Sequence, residues 1–415
     1  MRKLVLLILL QAAALHALAA SEVIAQVSVE ELEKTVARNH GKPDDNVARL
    51  LSGLALTERL TATRLASLNA ALPGEESRRA LTALADAAAF LDLPASEIPV
   101  TPALDRAAQQ ALLEKAAAYV KRAIPELPDF FATQQTTRFS DGPLKTSRLT
   151  GASSYSKKLR VVDQSTATVR FLGGKEELTD GQAAGQARLP AGPHLAVEGV
   201  FGPILKIVLK DVLAGTPLWG HWEMGTAGPM AVFRFDVPQE KSHFFVGGPG
   251  PSPFLPRDAA FHGDIGLDPQ TGAILRLTLR ATPQSGSGVA RADILVEYGA
   301  VDIGGQTHIC PLRSVALSLA GAADLWQTVY GFSRPVDPPP PSPLRLEVND
   351  ITYSHYHLFR TEMRLLPEDS SGAGAATIPP GIHPAPPAAV DDAAEPNGNQ
   401  PSALPAPASS TAPNR

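Results

Sequence analysis

Phe261–Arg280 reads FHGDIGLDPQTGAILRLTLR, and Arg291–Leu319 reads RADILVEYGAVDIGGQTHICPLRSVALSL. Apolar and polar residues alternate along both. Phe261, Ile265 and Leu267 oppose His262, Asp264 and Asp268; Leu275, Leu277 and Leu279 oppose Arg276, Thr278 and Arg280; Ala292, Ile294 and Val296 oppose Arg291, Asp293 and Glu297. A period of two belongs to strands, so four consecutive antiparallel strands are predicted, with one face apolar and the other charged. The connections agree. Asp268-Pro269-Gln270-Thr271-Gly272 and Asp302-Ile303-Gly304-Gly305 offer a fixed φ at proline and positive-φ positions at glycine, the chemistry of tight turns.

Working outward, Trp219 to Met224 and Phe233 to Val237 alternate in the same way and predict a further pair, joined at Gly225 to Pro229. On this reading Trp219, His221 and Glu223 share one face. Phe130 to Phe139, Arg160 to Val162 and Thr166 to Leu172 add strands, the last closed by Gly173-Gly174, and Leu346 to Leu365 returns to strand. Between them Phe201 to Ala214 places Ile204, Leu205, Val208, Leu209, Val212 and Leu213 at helical spacing, with Lys206, Lys210 and Asp211 in between, which predicts an amphipathic helix lying on the sheet.

The first hundred residues are helical in pattern. Ser28-x-x-Glu31 has the spacing of a capping box. Helices are expected to about Asn39, from Pro43, through Leu56, Leu60, Leu65, Leu68 and Leu72, and through Leu81, Leu84, Ala88 and Leu91. Asp92 to Ala103, with three prolines, reads as a linker before a helix over Leu104 to Ile124. The fold class expected is α+β: an N-terminal helical layer, then a curved, half-barrel-like antiparallel sheet with an amphipathic helix on its concave face. The expected divisions are a signal peptide at 1–19, the helical region and linker at 20–103, the sheet domain at 104–366 and a disordered Pro/Ala-rich tail at 367–415.

Composition narrows the function classes. The chain has 415 residues, 44% of them apolar, and a net charge of −5 with no basic cluster beyond its first residues, so nucleic acid is not an expected partner. Arg2 and Lys3, the apolar run from Leu4 and the small residues Ala17-Leu18-Ala19 form a secretory signal, which implies a periplasmic or extracellular protein with no membrane span after cleavage. Cys310 is the single cysteine and reads as a small buried hydrophobe.

PDFFATQQTTRF, GVFGPILKIVLKDV, LWGHWEMGTAGPMAVFRFDVPQEKSHF, the two opening stretches and NDITYSHYHLFRTEMRLL together resemble an uncharacterised family of secreted acidobacterial proteins, over most of Val27 to Leu366. No reaction comes with that resemblance. The order of elements is similar to that of periplasmic lipoprotein carriers and outer-membrane lipoprotein-sorting proteins, which implies a curved sheet and a helical lid around acyl chains. The N-terminal helical layer, the Pro-rich segment around Pro338–Pro341 and the tail depart from that pattern.

Candidate chemistry is sparse. His355 and His357, two apart on a strand, would share a face with Tyr353 and Phe359, and two imidazoles there invite a metal, yet spacing nominates no third ligand. No G-x-S-x-G elbow exists, Gly247-Gly248-Pro249-Gly250 lacks the phosphate-loop Lys and Ser/Thr, and Glu176-Glu177 are adjacent rather than paired across a site. The expectation is therefore no catalytic residue, no metal and no cofactor. A non-enzymatic protein is expected, with a lipid or other apolar ligand between sheet and helix, lined by Phe201, Leu205, Leu209, Trp219, Phe233, Phe235, Leu277, Ile294 and Phe359. The alternative is an envelope protein-protein interaction or scaffold module with a filled core.

Overall fold

A computed structural model describes residues 24–146, 153–180, 199–215, 217–226, 228–246, 257–283, 289–321 and 344–359, all within one compact unit. The signal segment, the loops around Gly247–Pro256 and Ser285–Gly288, the Pro-rich segment and the tail lie outside the described residues.

Helices come first. α1 (Val29–Arg38) opens on the capping box: the Ser28 hydroxyl accepts from the Glu31 amide at 3.2 Å, and the Glu31 carboxylate accepts from the Ser28 amide at 2.9 Å. α2 (Asp44–Leu51), α3 (Ala62–Ala71) and α4 (Glu75–Ala87) follow. Gly74, before α4, has no side chain to cap with. Asp44 of α2 does it instead, accepting from the amides of Glu76 and Ser77 at 3.0 Å each. One prediction fails here. Leu56 and Leu60 are not helical: Leu54–Leu56 is a short strand (β2) paired in parallel with β1 (Ala25–Val27), because Ser52-Gly53 ends α2 and the freed chain pairs edge to edge. Both leucines still enter a small core with Leu32, Leu51 and Leu81.

α5 (Arg106–Ala123), capped by Asp105, leads into the main sheet. Its strands in chain order are β3 (Phe130–Thr146), β4 (Ser153–Leu172), β5 (Lys175–Asp180), β6 (Leu218–Gly225), β7 (Gly228–Val237), β10 (Ala260–Leu267), β11 (Ile274–Thr282), β12 (Val289–Ile303), β13 (Gln306–Gly321) and β14 (Leu344–Leu358), with β8 (Phe245–Val246) and β9 (Arg257–Asp258) forming a separate ribbon. The spatial order β5-β4-β3-β14-β13-β12-β11-β10-β7-β6 makes one ten-stranded antiparallel sheet whose ends are not joined, so it is open rather than a closed barrel. The two opening stretches are β10 to β13, as predicted. Gly272 (φ 76°) lies in the β10–β11 turn, which presses against α5 so closely that a side chain there would meet the Lys115 and Ala116 backbone.

Both faces of the sheet are covered. The front face, bearing Phe130, Phe171, Phe233, Phe261, Leu277 and Val296, packs against α5 and against α6 (Pro203–Ala214). The back face corrects the expectation of a simply charged surface. Its centre carries Phe139, Leu295, Val315, Leu317 and Val348, buried under Ala83 of α4 and under Ala89 and Phe90 just beyond it. Phe90 is 1% exposed, and its ring lies under the Arg291 guanidinium at 5.8 Å. α4 thus works on two sides, holding Leu81 and Leu84 in the helical core and Ala83 against the sheet. Replacing Phe90 by Ala is expected to destabilise the protein by about 3–5 kcal/mol through the cavity it leaves. Urea unfolding measures this, and a loss below about 1 kcal/mol would show that the helical layer is not held there.

Candidate functional site

The residues expected around a ligand are mostly brought together, but against one another. Phe201, Leu205, Leu209, Trp219, Phe233, Phe235, Leu277 and Ile294 all belong to the front-face cluster. Phe201 lies with its ring 5.5 Å from Phe130, 5.3 Å from Tyr353 and 6.3 Å from both Phe171 and Tyr356, and the Tyr298 hydroxyl donates to the Val200 carbonyl at 3.1 Å. The chain's own rings occupy the space between α6 and the sheet. Phe359 stands apart on the back face, 5.2 Å from the Phe131 ring.

Two β-bulges explain what strict alternation missed. In β6 the register slips between Trp219 and His221, so Gly220 is the extra residue. Trp219 and Trp222 therefore share the front face, their rings 5.3 Å apart, while His221 and Glu223 turn to the back; the expectation that Trp219 shares a face with them is overturned. In β14 the slip lies between Ser354 and His357, with His355 at φ 50°. Tyr353, Tyr356 and Leu358 then line up on the front, and His355 and His357 are both exposed, no longer sharing a face with Tyr353. Among the described residues no group of three His, Cys, Asp or Glu is placed to hold a metal. Cys310 is buried in the front-face core, where loss of hydration pushes its thiol up to about 12. Asp211 also departs from its predicted polar stripe. It is buried, and accepts from the His243 amide at 2.8 Å with its other oxygen 2.6 Å from His243 Nδ1.

Among the described residues an open apolar space lies on the back of the sheet. A cleft of about 130 Å³ runs between the helical layer and the strands β4 and β14, lined by Leu51, Leu54, Leu56, Ala83, Leu84, Ala87, Leu159 and Leu346. Lys157 supplies its single charged group. Sequence reasoning missed the cleft because its walls come from segments more than 200 residues apart, each with an ordinary leucine pattern.

Beside it the charged residues of the back face are buried as two ionic joints. In the first, Glu223 receives both terminal nitrogens of Arg276, one at 2.7 Å, and a terminal nitrogen of Arg59 at 2.8 Å. Burial alone would raise the Glu223 carboxyl, but His221, Arg276 and Arg59 together outweigh it and hold it well below the ordinary carboxylate range. In the second, Arg313 binds Asp86 of α4 and Asp350 of β14 at 2.8 Å, with Glu297 at 4.0 Å. Three carboxylates surround one guanidinium, and the second oxygen of Asp86 has no hydrogen-bond partner. Burial pushes Asp86 up to about 8, with Arg313 pulling the other way and Asp350 reinforcing the rise.

No protein family and no curated protein matches this sequence. Among solved structures the fold is similar to a LolA superfamily protein of Nitrosomonas europaea, at 13% identity and TM-score 0.23 over 61% of this chain and 94% of that one. It is also similar to a DUF1329 family protein of Desulfovibrio piger, at 8% identity and TM-score 0.25 over 60% and 92%. At such values the likeness carries no argument about function. No described helix is long and apolar enough to cross a membrane.

The second joint makes stability depend on pH. In the folded chain Asp86 keeps its proton up to about 8, whereas the unfolded chain releases it near 4, so this contribution is fully present below pH 4 and is lost as pH rises to about 8. Glu223, with its depressed value, acts oppositely, but only as pH falls below the usual glutamate range near 4.5. The urea midpoint is therefore expected to fall between pH 5 and pH 8, and Asp86→Asn to flatten that slope. An unchanged slope in the variant would assign the titration elsewhere.

Proposed function

We propose that the protein is an exported, non-enzymatic binder of an apolar ligand, a lipid or other acyl chain, held in the cleft between the helical layer and the back of the sheet. The observation carrying this reading is the lining of the cleft: leucines and alanines around about 130 Å³ of free space, close to the roughly 150 Å³ of apolar protein cavities that stay dry and take up benzene-sized guests. The size selects the end of a chain rather than a whole lipid, with the remainder in the cleft's open mouth. Hydrocarbon burial supplies about 0.8 kcal/mol per methylene, so a few methylenes suffice for weak, reversible capture.

A second reading has its own support. β6 forms one edge of the sheet, and its Leu218 and Met224 are 65% and 62% exposed, a combination that suits strand addition by an envelope partner.

Mature protein purified without detergent is expected to take up a fluorescent fatty acid, and Ala87→Trp, which fills the cleft from a half-buried position, to weaken uptake at least about tenfold with the fold intact by circular dichroism. No uptake by the native protein, or equal uptake by the variant, would sink the proposal.

A further inference from the structure

Next to the first ionic joint, a second recess is lined by Arg59, Arg234, Arg276, Arg280, His221, Asp92 and Asp264, with His221 Nε2 3.5 Å from Glu223. Its polar groups do not balance. Arg234 reaches Asp92 at 3.1 Å and Asp264 at 3.6 Å, and Glu223, bonded to Arg59 and Arg276, stands behind the wall. Four positive charges thus face three negative ones. Asp293 opposes Arg280 across the β11–β12 pair, but it is taken up by Arg291, with two of whose nitrogens it pairs at 2.5 Å.

Donors are left over as well as charge. The Nε groups of Arg59, Arg276 and Arg280 are all buried, and none has a hydrogen-bond partner among the described residues. Arg276 is only 6% exposed. A buried N–H without an acceptor costs about 1–3 kcal/mol, and more on a charged group, so three in one recess favour a bound acceptor. Arg59 shows the same strain: burial first, and then the positive charge of Arg276, hold its guanidinium below its ordinary value.

We propose that this recess binds one small monovalent anion, of which chloride is the model, between the helical layer and the back of the sheet. Its free space of about 10 Å³ admits a single compact guest. Phosphate, sulfate and carboxylates with a substituent are too large. One negative charge cancels the local excess, and a spherical acceptor takes N–H donors from several directions at once. Arg59 and Asp92 belong to the helical segment while Arg234, Arg276 and Arg280 belong to strands, so the bound anion ties the two layers together and links the layer's seating to halide concentration.

The full chain tests this without reference to the apolar cleft. Its melting temperature, followed in sodium chloride against sodium gluconate at matched ionic strength, is expected to rise saturably with chloride alone. Arg280→Gln leaves the Glu223 joint untouched and is expected to fold normally in gluconate yet lose the chloride response, which Arg280→Lys partly restores. Crystals grown in bromide are expected to show an anomalous peak among Arg59, Arg276 and Arg280. Parallel melting curves in the two salts, an undiminished response in Arg280→Gln, or a site holding water with no bromide would each overturn the assignment.

Discussion

A carboxylate removed from water must be matched by a cation at contact distance, and that constraint sets the arrangement of this molecule. Glu223, on the edge strand β6, meets Arg276 from β11 and Arg59 from the segment before α3. On β13, Arg313 is the cation that matches Asp350 of β14, and it also bonds Asp86 of α4, which burial keeps protonated up to about pH 8. Desolvating such groups singly costs several kcal/mol each, and breaking a buried pair by removing one partner costs about 3–5 kcal/mol. The helical layer can therefore sit on the sheet only where both joints close. Apolar contacts around Phe90 add attraction without comparable directionality.

Covering the back face in this way changes what the front face is for. A sheet with one apolar face and a helix lying across it suggests a container, but here α5 and α6 close over rings that already touch one another. Free volume remains at the less regular contact, where short helices and a two-stranded parallel ribbon, three residues long, meet long strands and do not interdigitate fully. Ridge-and-groove packing is close between regular elements, and space survives where their shapes are unmatched.

Much of this was legible along the chain. The β10 to β13 meander follows from alternation and from Asp268-Pro269 and Gly304-Gly305, because the period of two and positive-φ glycines are local properties. The capping box at Ser28 and the helix over Pro203–Ala214 are local as well. The bulges at Gly220 and His355 were not. A single inserted residue reverses every later side chain in a strand, and it moved His221 and Glu223 from an expected place beside Trp219 into a buried joint with residues of the helical layer. Gly220 was a usable signal, since glycine inside an alternating strand marks such a slip. Leu56 and Leu60 show the opposite limit: their spacing suited a helix, but spacing does not record that Gly53 had already ended one.

By itself, the sequence determined the α+β class, the strands and their turns, the capped helices and the absence of any recognisable catalytic motif, because each depends on residues within a few positions of one another. Only the tertiary structure decided that the charged side of the sheet is an interior, that the aromatic front is full, and that an apolar cleft and an arginine-lined recess lie side by side behind it. Those features join Arg59 to Arg276 and Leu54 to Leu346, and no local pattern encodes which distant charges will be forced to share the same dry space.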